Sequence, residues 1–177
     1  MKLHYTIIAS AIIIIACNSA ASTSNNKSEF NADKEQQNIM AVVEKETASF
    51  FARDYEGWKG TRAQQAYDFQ GWNNADGTFE VENGWQDVNA DIKKYIQNDS
   101  IPIQAKPEIL RKNIMCKFYA DTCAYLTWDE YTREDSSKVF FKSKDLRLME
   151  KQNGEWKIVT VASFWDYKNK FLRENIQ

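Results

Sequence analysis

The chain is expected to fold as an α+β domain, with helices packed on one face of a curved antiparallel sheet. Three observations predict this. Apolar residues step at three- and four-residue intervals in the first half of the folded part, as on an amphipathic helix. Runs rich in β-branched and aromatic residues fill the last third. The helical patterns come early and the strand patterns late, whereas a parallel α/β sheet would alternate them.

The elements follow in order. Asp33 can cap a helix, with Gln36 three residues on completing a box-like start. Ile39, Val43, Thr47, Phe50, Phe51, Tyr55 and Trp58 then predict one helix over 33–58, closed by Gly57 and Gly60. A short helix is expected over 61–66 and a strand over 67–72. Asn74-Ala75-Asp76-Gly77 reads as a turn, and 78–82 returns as a second strand that Gly84 ends. Trp85 heads a helix over 86–98, marked by Val88, Ile92, Tyr95 and Ile96. Pro102 and Pro107 punctuate a loop. Four strands are expected over 109–119, 123–131, 139–151 and 156–167, with Asp121 and Asn153-Gly154 in two of the connections.

Residues 1–16 read differently. Lys2 supplies a positive start, and Tyr5 to Ala16 is almost wholly apolar. A spanning helix needs ~20 apolar residues and a secretory leader only ~7–15, so the run fits a leader. It ends in Ile14-Ile15-Ala16-Cys17, which resembles the bacterial lipobox, with Ile where Leu is commoner. That resemblance implies cleavage before Cys17, lipid attachment to the Cys17 thiol, and a membrane as partner through several acyl chains. The Asn/Ser/Ala-rich tract over 17–33 has little to bury and is expected to be a flexible tether to a folded domain over 34–177. Asn18 is not the Asp that retains some lipoproteins at the inner membrane, so a cell-envelope site at the outer membrane is expected.

Composition narrows the chemistry. Hydrophobic residues make up 43% and aromatics 14%, enough for a real core. Net charge is -2, and no block of Lys and Arg marks a nucleic-acid face. The single histidine, His4, lies in the leader. The folded part therefore lacks Ser-His and Cys-His nucleophile pairs and His-ligated zinc. The Asp and Glu positions show no calcium-loop spacing, and neither a cofactor nor a metal is expected.

The order helix–hairpin–helix–strands resembles the nuclear transport factor 2-like superfamily, in its SnoaL-like bacterial branch. Three stretches carry the likeness: Phe51-Ala-Arg-Asp54-Tyr-Glu-Gly-Trp58, Gly71-Trp72-Asn73 through Val81-Glu-Asn-Gly84-Trp85, and Leu146 through Gly154-Glu-Trp156-Lys-Ile-Val159. The resemblance implies a cone: a bent sheet wrapped on about three helices, with a pocket at its open end and homodimers formed across the sheet. Such a fold hosts enzymes and binding modules alike. Its ketosteroid isomerases use an Asp base in an Asp-Pro pair, a Tyr and a protonated Asp. Here those roles fall near Gln70 to Trp72, near Glu46 or Thr47, and near Lys144, and none matches; neither proline follows an aspartate.

Candidate site residues follow. Trp58, Tyr67, Trp72, Trp85, Trp128 and Trp165, with Lys144, are expected to line a ligand pocket, indole N–H groups orienting an apolar or aromatic guest. Core and dimer surface are the ordinary roles for such rings. Asp129 and Glu130 are adjacent on a strand, so they point to opposite faces and one of them is the better catalytic candidate. Ion pairing with Lys144 or Arg147 is the ordinary role. Asp68 and Asp76 are weaker candidates. Cys116 and Cys123 flank a hairpin turn and stand either as a disulfide or as two buried thiols. Two functions are therefore expected: a tethered module binding a small ligand or a protein partner, or a carboxylate-based isomerase, dehydratase or cyclase.

Overall fold

The computed structural model describes residues 30–98, 100, 105–133 and 137–176. Cys17, the leader, most of the tether and Pro102 lie outside them. Helix α1 (Ala32–Phe51) is capped two residues earlier than Asp33: the Asn31 side chain accepts from the Lys34 amide at 3.0 Å. Asp33 instead sits in the first turn with Glu35, where negative charge suits the helix dipole. Ile39 and Val43 are its fully buried apolar face.

The single helix expected over 33–58 is two. Arg53 turns left-handed (φ 56°), and the Asp54 side chain caps a short α2 (Tyr55–Lys59) by accepting from the Gly57 amide at 2.9 Å. Periodicity passes through this break because both helices present apolar residues to the same core. Gly57 is required inside α2 rather than after it: a Cβ there would lie 2.0 Å from the Asp54 carboxylate and 2.6 Å from Ser49 Oγ. No helix forms over 61–66. Thr61 and Ala63 instead exchange backbone hydrogen bonds with Ile158, which draws Arg62 into the interior.

Six strands form one curved sheet in the order β2-β1-β6-β5-β4-β3. They are β1 (Phe69–Asn73), β2 (Phe79–Asn83), β3 (Glu108–Ala120), β4 (Cys123–Arg133), β5 (Phe140–Gln152) and β6 (Glu155–Phe171), with α3 (Trp85–Ile96) between β2 and β3. The α+β class and the three helices stand as expected. The sheet, however, is mixed: β1 pairs parallel to β6 while every other pairing is antiparallel. Short turns force β3 to β6 to alternate, but no turn joins β1 to β6, so that pairing is unconstrained. The β5–β6 turn carries Asn153 and Gly154 at φ 52° and 86°, the backbone that a two-residue hairpin of matched twist needs.

Two apolar clusters hold the layers. Ile39 and Val43 of α1 pack on Leu126, Trp128, Met149, Trp156 and Ile158 of the sheet. Trp58 packs with Val88, Ile92 and Ile96 of α3. The hairpin register decides between the two states expected for Cys116 and Cys123. Cys116 lies opposite Leu126 and Cys123 opposite Ala120, and both thiols are free. Three residues along β4 separate the two levels, roughly 10 Å, and the odd step puts the thiols on opposite faces. A bulge between Phe118 and Ala120 makes this shift.

Candidate functional site

Directly opposed residues share a sheet face, so strand pairing defines the concave wall. Arg111, Glu130, Ser143 and Trp165 make one row across β3, β4, β5 and β6. Trp128, Asp145, Ser163 and Trp72 make the next, ending on β1. Leu126, Arg147, Val161 and Gln70 make the third. At the β6 and β1 ends of these three rows, together with Glu130 of β4, lies a cavity of about 440 Å³. Glu46, Thr47, Phe50 and Phe51 of α1 close one side. Trp58, Ile92, Ile109 and Tyr167 complete the apolar wall, and Gln70, Glu130, Thr132 and Ser163 supply polar groups.

Buried charge lies on the same concave face, beside the cavity and against α1. Arg111 donates from Nε to Glu130 Oε2 at 2.9 Å and from Nη2 to Thr47 Oγ1 at 3.0 Å, and it pairs with Glu44 at the surface. The Trp128 indole N–H donates to the same Glu130 oxygen at 3.1 Å. Arg147 lies 3.3 Å from Asp145 and 3.8 Å from Glu46. Both guanidiniums flank the Trp128 ring, 5.8 and 5.1 Å from its centroid. Asp145 also accepts from Ser163 Oγ at 2.6 Å and from Ser143 Oγ. Burial pushes the Glu130 carboxyl above its usual range, the Asp145 charge adds to this, and Arg111 opposes it. Both hydrogen bonds to Glu130 reach Oε2, so Oε1 is left for a guest.

The neighbouring acid is arranged in the opposite sense. Asp129 faces away from the cavity, accepts from Asn113 at 2.8 Å, and pairs with Lys144 and Lys142. Partial burial would raise its carboxyl, but those partners outweigh it and hold the group below its usual range. Strand alternation thus separates the two acids, and Glu130 is the inward one.

Many solved structures share this arrangement of helices and sheet. A protein of unknown function from Shewanella oneidensis, described as NTF2-like, superposes with a TM-score of 0.55 at 15% identity, covering 73% of this chain and 98% of that one. The fold is the nuclear transport factor 2-like cone. A proposed scytalone dehydratase from Novosphingobium aromaticivorans shares the cone with a TM-score of 0.56 at 10% identity, covering 78% of this chain and 87% of that one. So does a protein of unknown function from Nostoc punctiforme, described as having a cystatin-like fold, at 0.58 and 14% identity over 79% of this chain and 96% of that one. At these identities the likeness concerns the fold alone. No known family pattern matches the chain, and no curated protein matches it.

Within the cone, Trp58, Trp72 and Trp165 reach the cavity. Four other expected lining residues do not. Tyr67 is 57% exposed ahead of β1 and donates to Glu150. Trp85 stacks behind Trp58 at 5.9 Å, one layer away. Trp128 is on the same face but fully buried in the cluster with Ile39 and Val43 of α1, outside the cavity lining. Lys144 points outward to Asp129, because its neighbours Ser143 and Asp145 point inward. A one-residue slip along a strand exchanges faces, so the inward acid at that level is Asp145. Asp76 is a turn residue accepting from Thr78. Asp68 is buried and accepts from the Gln64 and Gln65 amides, with burial raising its carboxyl. The sequence reading missed Phe50 and Phe51 as cavity residues, although their helical spacing was visible. It also missed Glu46 and Ser163, whose surroundings are set entirely by the sheet register.

Proposed function

We propose that this chain is a lipid-anchored envelope protein whose cone takes up a small apolar or aromatic molecule. The cavity of about 440 Å³ carries this reading: six aromatic rings surround a small set of hydroxyl, amide and carboxylate groups. Sites for small organic molecules have this composition, a largely apolar wall with few placed polar groups. The leader and Cys17 supply the anchor, and the tract over 17–33 supplies reach between lipid and domain. Asn18 favours the outer membrane.

Native mass spectrometry of the full chain, purified in mild detergent from bacterial membranes, tests both parts. The expected spectrum shows a polypeptide starting at an acylated Cys17, with a small-molecule adduct that Trp165→Ala releases. A bare polypeptide in the wild type, with no probe of drug size binding saturably, would overturn the ligand reading. An unmodified N-terminus would overturn the anchor.

A second reading is favoured by one observation. Glu130 combines burial, a carboxyl raised above its usual range and a free Oε1 in the cavity. That is the position of a group able to give or take a proton in an isomerase, dehydratase or cyclase. The Novosphingobium aromaticivorans neighbour lends fold-level support. If the co-purifying molecule is converted over time, Glu130→Gln should abolish conversion while leaving binding in place.

A further inference from the structure

The charged groups of the cavity share one sign, while the Gln70 side-chain amide and the Thr132 hydroxyl stand there as neutral groups without partners. The wall presents two carboxylates, Glu46 and Glu130, and no Lys, Arg or His among the described residues. Two lining hydroxyls have already given up their hydrogens, Thr47 donating to the Val43 carbonyl at 3.0 Å and Ser163 to Asp145 at 2.6 Å, whereas the buried Thr132 hydroxyl has no partner. What Thr47 and Ser163 offer a guest is lone pairs. Arg111 and Arg147 pair with the two acids from beside the cavity and keep their guanidiniums against Trp128, outside the lining. Around the acceptors stand aromatic rings, whose faces attract positive charge.

Resting on the small-molecule reading above, we infer that the guest is a small organic cation: a protonated amine on an apolar or aromatic body. The ammonium donates to Glu130 Oε1 and Glu46, and the body lies among Phe50, Trp72 and Trp165. An anionic guest of the same size meets two carboxylates and finds no cation on the wall. A neutral alcohol satisfies one acceptor and leaves the other desolvated without a donor. Arg111 already pairs with Glu130 and Arg147 with Glu46, so the guest completes a charged network rather than creating one.

The test uses three probes of matched shape on the full chain in non-ionic detergent, titrated by calorimetry with a micelle blank. They are 2-phenylethylamine, 2-phenylethanol and 3-phenylpropanoate. At neutral pH the amine is expected to bind at least about tenfold more tightly than the alcohol, as a charge-assisted hydrogen bond implies, and the carboxylate more weakly than either. In Glu130→Gln the amine's advantage should shrink to about threefold or less. Equal affinity for amine and alcohol, or tightest binding of the carboxylate, overturns the cation inference and leaves the small-molecule reading standing. Failure of all three to saturate the cavity overturns both.

Discussion

The two ends of the concave face are built by the same strands and the same helix, yet one is solid and the other hollow. At the solid end Ile39 and Val43 of α1 meet Leu126, Met149, Trp156 and Ile158 in one apolar cluster, with Glu35 accepting from the Trp156 indole at its edge. At the hollow end the facing residues are Glu46 and Thr47 on the helix and Glu130, Asp145, Arg147 and Ser163 on the sheet. Dispersion and apolar burial draw surfaces into contact where both sides are aliphatic. Charged groups must keep partners or water, so they resist the same closure. The cavity is thus written into the change of residue type along each strand, and the wide rings at its rim prop it open.

Removing a charge from the hollow end should have the largest effect. Arg147→Ala would leave Asp145 and Glu46 without their shared cation, and urea denaturation should report a loss of about 3–5 kcal/mol. Arg147→Met, similar in length, should retain more stability than the alanine variant if packing matters beside charge. At the solid end, Ile39→Ala should cost about 2–4 kcal/mol and leave probe affinity in the cavity unchanged. Coupling of that variant to binding would mean that the two ends are not independent.

Away from both ends, Gly154→Ala should cost only about 1 kcal/mol, since φ 86° strains an alanine in open space. The smallest effect is the most diagnostic one. Asp129 and Glu130 are chain neighbours on opposite faces, and their pH signatures should have opposite sign. The Asp129 carboxyl is lowered from 3.8 in the folded state, so it stabilises above that value and the contribution fades as pH falls through its lower folded value. The Glu130 carboxyl is raised from 4.5, so the folded state binds its proton more tightly. Stability should fall as pH rises from about 4.5 to the raised folded value. Asp129→Asn should flatten the acidic limb of the stability profile, and Glu130→Gln the limb above 4.5. Flattening of the same limb by both variants would contradict the division of faces.

The reach of the sequence differs between elements for physical reasons. α3 was legible because Val88, Ile92 and Ile96 keep one face and Gly84 marks its start. The long strands were legible because β-branched runs and an Asn-Gly turn are local signals. The break at Arg53-Asp54 was not, since Asp54 acts through a cap and apolar periodicity continues across it. Nor was the parallel β1–β6 pairing, which no local turn dictates. Among the site residues, the alternation of Asp129 and Glu130 was readable as a rule, but not which one faced inward.

By itself, then, the sequence determined the α+β class, the order of its elements, the absence of histidine chemistry in the folded part and the opposed facing of Asp129 and Glu130. These are properties of periodicity and composition, which act over a few residues. The tertiary structure decided which acid is buried, why Lys144 and Trp128 stand outside the cavity, and how the cysteines are kept apart. Each of these depends on strand register across the sheet, where a shift of one residue exchanges inside for outside. Register is fixed by pairing between segments far apart in the chain, and no short window of residues contains it.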